Sequence, residues 1–331
     1  MMEQTQTSIA KKIFTSDAAR KLMSFGALLL IFVGFSIVSP NFSKFSNIVG
    51  ILLATSVNGI LALGATFVII TGGIDLSVGT MMTVSAVMAG VIVTFWGLPI
   101  WLGVLGGILT GVFAGFINGV VISRMKIPPF IATLGMLYIT KGLSLIISDV
   151  SPIYFNDTPA FRQIAMGSVV GEIIPGFAIP NAVMILFLLA IIAHVVLTKT
   201  LFGRYTFAIG SNEEAARLSG VNVAMWKTRV YAICGMFSGM AGVIIASRLN
   251  SAQPALGAGY ELDAIAAVVI GGTSLSGGEG TILGTVIGAF VISVLANGLR
   301  MMSVPQEWQM VVTGMIVIFA VFADILRRQS K

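Results

Sequence analysis

The chain has 331 residues, of which 56% are hydrophobic and only 10% charged, and its mean hydropathy is +1.00. That balance excludes an ordinary soluble domain and dictates a polytopic membrane protein. The net charge of +6 does not point to nucleic acid, because Lys and Arg collect at the ends of apolar segments, where membrane topology puts them.

Residues 1–21 are polar, carry four basic side chains, and predict a cytoplasmic N-terminal segment. Residues 22–38 are continuously apolar, and with no small-x-small cleavage site between Ser36 and Pro40 they read as an uncleaved first span. Further spans are expected at 48–70, 77–96, 99–122, 129–147, 180–197, 230–248, 261–275, 281–299 and 307–326. All are near the length that a bilayer core demands except the eighth, which is short. This all-α transmembrane domain of about ten helices occupies 22–326 and leaves a tail at 327–331. With the N-terminus inside, fourteen Lys and Arg fall on the cytoplasmic side and four outside, a bias that puts both termini in the cytoplasm. Eight or nine spans follow instead if 48–70 or 261–299 re-enter. The outer connection 148–179, with Pro152, Pro159 and Pro175, is the expected face for an external partner.

Glycine is patterned. Gly103, Gly107, Gly111, Gly115 and Gly119 recur at every fourth position and line one face of the fourth span for about four turns. Such a ridge lets another helix approach closely. Gly235 and Gly239, and Gly280, Gly284 and Gly288, repeat the device in later spans. Whether each ridge packs within one subunit or between two is open at this point.

Two stretches share a local pattern: Thr71-Gly-Gly-Ile-Asp-Leu-Ser-Val-Gly79 and Ile270-Gly-Gly-Thr-Ser-Leu-Ser-Gly-Gly278. They suggest an internal repeat, read either as tight turns or as broken helices lining a transport path. Gly72, Gly73, Asp75, Gly271, Gly272 and Ser274, with Asn58 in the second span, are therefore the path candidates. The Asp75 carboxylate is expected to cap the following helix near Val78. The other intramembrane polar groups, such as Thr55, Thr66, Ser85 and Asn118, are neutral; they suit a hydroxyl-rich solute or serve as glue between helices. Cys234 and His194 are each single, so neither a disulfide nor a metal site is expected. No Gly-x-x-x-x-Gly-Lys-Ser/Thr sequence occurs and no cofactor is expected, so ATP, if used, is hydrolysed by another subunit.

The longest charged stretch on the cytoplasmic side is 198–229. Inside it, Ser211 and Glu214 have the spacing of a capping box. Glu213 and Glu214 suit the positive end of a short helix and Arg217 its negative end. Gly220 suits the left-handed turn that stops it. Two turns of helix do not stand alone in water, so this one rests on its own protein or docks into a cytoplasmic partner. Ala215 and Ala216 are small, as close seating requires.

Several motifs in order carry a family likeness: Thr71 to Gly79, Pro129-Phe-Ile-Ala-Thr-Leu-Gly135, Phe202-Gly-Arg-Tyr205, Glu214-Ala-Ala-Arg-Leu-Ser-Gly-Val221, Ser251-Ala-Gln-Pro254 and the run from Gly259 to Ser274. Through them the chain resembles the permease subunit of bacterial ATP-binding-cassette sugar importers of the ribose type, from the first span to Asp324. The resemblance implies a non-catalytic subunit in the inner membrane, paired with a second permease subunit and in contact with lipid. It also implies a cytoplasmic ATP-binding subunit, often fused in tandem, and a periplasmic sugar-binding protein. By similarity, Glu213 to Gly220 is the coupling helix, with Ser211, Glu213, Glu214, Ala215, Ala216, Arg217 and Gly220 as the coupling set. Ser276-Gly-Gly-Glu-Gly280 carries an acid where ribose-type relatives often have a base, which bears on the sugar carried. The rival class, a stand-alone ion-coupled carrier, calls for paired ionisable groups in the core, and the sequence offers none.

Overall fold

The computed structural model describes residues 17–174 and 176–329. The expected N-terminal segment up to residue 16, and residues 330 and 331 of the tail, lie outside the described residues. Hydrocarbon offers the backbone no hydrogen bonds, so the chain satisfies them within helices. In order these are α1 Asp17–Val38, α2 Phe45–Ile70, α3 Val78–Gly90, α4 Ile100–Arg124, α5 Pro129–Ile147, α6 Ala160–Met166, α7 Val169–Ile173, α8 Asn181–Lys199, α9 Leu201–Ser211, α10 Glu213–Leu218, α11 Val223–Leu249, α12 Tyr260–Ile270, α13 Ile282–Met301 and α14 Gln306–Gln329. Two short strands, β1 Ile153–Tyr154 and β2 Ser251–Ala252, pair antiparallel.

Seven helices among the described residues are long and apolar enough to cross a membrane: α2, α3 with a π-helical extension to Phe95, α4, α5, α8, α11 and α13. Six begin within three residues of the sequence expectation. The exception, α11, starts at Val223 because Asn222 caps it, accepting from the Met225 N–H at 3.0 Å.

The eighth expected span is different. Helix α12 has 11 residues, about 16 Å of rise against a hydrocarbon core of about 30 Å. The non-helical segment 251–259 precedes it and lies along α3. There the Pro254 carbonyl accepts from Ser144 Oγ at 3.0 Å and the Leu256 carbonyl from Thr83 Oγ1 at 2.7 Å. These bonds satisfy part of the backbone that no helix serves.

Helix α11 is the hub, packed on α2, α3, α4 and α6. Its seam with α4 is made by glycine. An added Cβ on Gly111 would strike the Gly235 carbonyl and come within 2.8 Å of Gly239 N; on Gly115, the Tyr231 carbonyl; on Gly119, the Thr228 backbone at 2.6 Å. Gly103 and Gly107 press on Ala89, Val93 and Ser85 of α3 and its extension, and Gly107 also on Val243 of α11. The ridge therefore packs inside one chain. Gly284 and Gly288 do the same for α13 against Gly271 and Ala267. Helix α3, mainly apolar with Thr80, Thr83 and Ser85 among its residues, is buried, while α4 and α5 present large apolar side chains outward. Thr66 and Thr285 hydrogen-bond across α2 and α13 at 2.8 Å, as polar groups do between membrane helices.

One end of the bundle carries α9 and α10; the opposite end carries the strands. At the strand end Phe155 stacks on Phe161 at 3.9 Å, and Ser247 Oγ donates to the Phe161 carbonyl and accepts from Ala165 N–H, fixing α6 across the end of α11. Trp96 and Trp101 are exposed at the same end, as in an aromatic interfacial belt.

Candidate functional site at the α10 end

The two glycine stretches form the same helix ending. After α2, Gly72 N–H donates to the Ile69 carbonyl and Gly73 N–H to that of Val68; after α12, Gly272 N–H donates to Val269 and Thr273 N–H to Val268. Gly72 and Gly272 have φ of +76° and +89°, where a side chain would be strained. The structural repeat thus pairs Gly72 with Gly272, one residue out of register with the sequence motif. What recurs is the position just past the last helical hydrogen bond, and identity of the Gly-Gly pair does not track it. The second turn is also longer, running to Thr281, whose Oγ1 caps α13 through Gly284 N–H at 3.1 Å.

The two turns meet each other and the end of α9. Gly278 N–H donates to the Ile70 carbonyl at 2.9 Å. A Cβ on Gly210 would strike that carbonyl, and one on Gly277 would lie 2.8 Å from Gly210 O and 2.9 Å from Gly72 N. Three chain segments therefore touch backbone to backbone. Ser274 is buried in the second turn, with its N–H bonded to the Glu279 carbonyl. Asn58 is not part of this junction. It is half-buried on α2, twelve residues before Ile70, about 18 Å along the helix.

Asp75 does not cap α3 as expected. Its Oδ1 accepts from Ser77 N–H at 2.9 Å and from Ser77 Oγ at 2.6 Å, and Ser77 Oγ accepts in turn from Asn118 Nδ2 at 2.9 Å. The carboxylate closes its own turn and ties it to α4. The reason is reach: an Asp side chain bonds most easily two residues on.

Helix α10 corrects a second expectation. Ser211 is the last residue of α9, and the cap of α10 is Asn212, whose Oδ1 accepts from Ala215 N–H at 2.9 Å. Glu214 does not reach back. It takes two hydrogen bonds from Arg217, at 2.6 and 3.1 Å, which hold its carboxyl below the usual carboxylate range. This exposed pair adds little stability, all of it present at neutral pH and lost as pH falls through the lowered value. Gly220 has φ +86° and ends the helix. Glu213 pairs with Lys227 at 2.6 Å, fastening α10 to α11.

The two alanines part company. Ala216 is buried on Ile209 and Val223, with Val221 and Trp226 beside them, so it seats α10 on its own protein. Ala215 is exposed, and so is Leu218 at 78%, which makes Leu218 the apolar group that α10 offers outward. Sequence reasoning passed over Leu218, Asn212, Lys227 and Tyr231. Only Asn212 left a signal, an Asn three residues before an N–H in the first turn. Tyr231 carries a buried hydroxyl that reaches Gly73 and has no hydrogen-bond partner among the described residues.

The model of the family described as the permease component of branched-chain amino acid transport systems matches residues 47–321. The ribose import permease protein RbsC of Bacillus subtilis is 43% identical over 324 residues, 97% of this chain and 98% of its own. The protein of the same name in Escherichia coli K12 is 39% identical over 97% and 98%. The L-arabinose transport system permease AraH of that organism is 36% identical over 96% and 97%. Such similarity over the full transmembrane fold places the chain in one group: it belongs to the ribose-type permeases of ATP-binding-cassette sugar importers.

Proposed function

We propose that this subunit carries a monosaccharide, ribose or a related pentose, hexose or polyol, across the bacterial inner membrane by alternating access. It works as one of two permease subunits, does not itself hydrolyse ATP, and holds ten spans with both termini in the cytoplasm. The α10 end then faces the cytoplasm, where an ATP-binding subunit seats on α10, and 148–179 faces a periplasmic sugar-binding protein. The observation that carries this reading is mechanical. Helix α10 stands exposed on the surface, yet is fastened by Glu213–Lys227 to the hub helix and, through Gly210, to both membrane turns. Movement imposed on α10 has a stiff route into the bundle.

The test is uptake of labelled ribose, arabinose and fructose into vesicles holding this chain with its ATP-binding subunit and binding protein. Uptake that requires ATP inside is expected. Uptake driven by a proton or sodium gradient without ATP would make the chain a stand-alone carrier. Reporters fused after Lys126, Thr200 and Lys331 should read cytoplasmic and one near Asp157 periplasmic; the reverse pattern would invert the placing of α10.

A further inference from the structure

Asp75 is 2% exposed in the connection between α2 and α3, outside either span. Its Oδ1 takes both hydrogen bonds from Ser77, whereas its Oδ2 is buried and has no hydrogen-bond partner among the described residues. Among those residues no Lys or Arg acts on the carboxyl; the groups that do are Ser77, Asn118 of α4 and the Cys234 thiol of α11. The Tyr231 hydroxyl, three residues before Cys234, also feels its charge and is likewise buried without a partner. Lys227, one turn earlier on α11, is bound to Glu213 at 2.6 Å. Helix α5 brings Thr133, a neutral group whose Oγ1 lies 3.4 Å from the Ile74 carbonyl. A full negative charge in such a place costs far more than a neutral acid, because nothing offsets the water that Oδ2 has lost. Burial accordingly pushes the Asp75 carboxyl above the usual carboxylate range, Ser77 and Asn118 notwithstanding.

The turn that carries Asp75 lies between the bundle and the α10 end. On one side Ser77 ties it to α4 through Asn118. On the other, a cavity of about 330 Å³ runs beside Gly72 and Gly73 and is walled by Gly210, Ser211, Asn212 and Glu213. Ile70 and Gly210 touch backbone to backbone, so displacing the α9–α10 junction displaces the turn. We propose that Asp75 is a proton-operated latch: a neutral acid while the turn lies against α4 and α11, and an anion, its proton passed to water on the α10 side, when movement of that junction lifts the turn. The neutral form belongs in the bundle and the charged form in water. Protons therefore favour the seated turn, and a rise in pH favours the lifted one. The importer reading enters only in naming α10 as the source of the movement.

The test compares the purified permease complex carrying the natural chain with one carrying Asp75→Asn. The amide keeps an oxygen to accept from Ser77 and puts an N–H donor where the acid holds its proton, so it is a neutral latch that cannot ionise. Infrared spectra at neutral pH should show, in the natural chain, the carbonyl stretch of a protonated carboxyl that Asp75→Asn lacks. With the folded value raised, the stability given by the neutral acid is complete below the ordinary carboxylate value of about 4 and is lost as pH rises toward the folded value. Between about pH 5 and pH 8 the natural chain should therefore lose thermal stability relative to Asp75→Asn. Hydrogen exchange at the Ser77 N–H, read against the variant at the same pH, should quicken over that range by up to about tenfold per pH unit. Absence of the carboxyl band, or a natural chain that gains on Asp75→Asn as pH rises, shows an ionised Asp75 and overturns the proposal. Exchange at Ser77 that runs alike in the two chains at every pH shows an acid that latches nothing and overturns it equally. Should the amide not assemble, Asp75→Ser serves the infrared and unfolding comparisons. None of these readouts needs transport, so failure of every uptake assay sinks the importer reading and leaves the latch standing.

Discussion

Helices α4 and α10 both depend on glycine, and for opposite reasons. Gly111 has ordinary helical geometry and no room: the carbonyl of Gly235 lies where a Cβ would go. Gly220 has room, with nothing within 4 Å, but its φ of +86° excludes most side chains. In the first region the constraint is set by the neighbouring helix, in the second by the chain's own dihedral. Membrane helices lack a hydrophobic drive to associate, so close backbone contact does that work in the bundle. A short helix in water needs its ends fixed instead.

The largest effect should come from the seam. Gly111→Leu should cost more than about 3 kcal/mol, above the usual range for overpacking, because the obstacle is backbone. Assembled protein recovered from the membrane should fall sharply; normal yield and uptake would show that α4 and α11 separate without penalty.

Next comes a contrast within α10. Ala216→Arg pushes a long charged chain into the contact with Ile209 and Val223 and should destabilise the region by about 1–3 kcal/mol, seen as easier proteolysis of 201–222. Leu218→Arg should leave stability within about 0.5 kcal/mol. It should nevertheless weaken docking of the ATP-binding subunit about tenfold, as loss of an apolar anchor does. Docking of Leu218→Arg at the natural strength would mean that α10 is not the seat.

Gly220→Val should strain the end of α10 by about 1–3 kcal/mol, whereas Gly220→Asn should be nearly neutral, since Asn tolerates the left-handed turn. Gly111→Asn has no such escape. Measured side by side for thermal stability, these substitutions tell dihedral from crowding; equal losses at both positions would erase the distinction.

The smallest expected effect is at the cap. Asn212→Ala should loosen α10 by about 1 kcal/mol and Ser211→Ala should not, read by hydrogen exchange at Ala215 N–H. The reverse order would restore the serine cap.

Sequence alone determined the membrane class, the position of most spans, the glycine ridge and the left-handed stop at Gly220. Each rests on a local or periodic property: an apolar run of bilayer length, a four-residue spacing, a residue type tied to one dihedral. It did not determine which of two adjacent polar residues caps α10, because Ser211 and Asn212 both qualify locally and only the end of α9 decides between them. Nor could it tell that Ala216 faces inward and Leu218 outward, since a helix of six residues is too short for periodicity to orient it. The half-length of α12, the meeting of Gly72, Gly210 and Gly277, and the orphaned hydroxyl of Tyr231 were decided by tertiary structure. All three depend on segments far apart in the chain arriving at one place, where backbone approaches backbone and a buried group either finds a partner or does not.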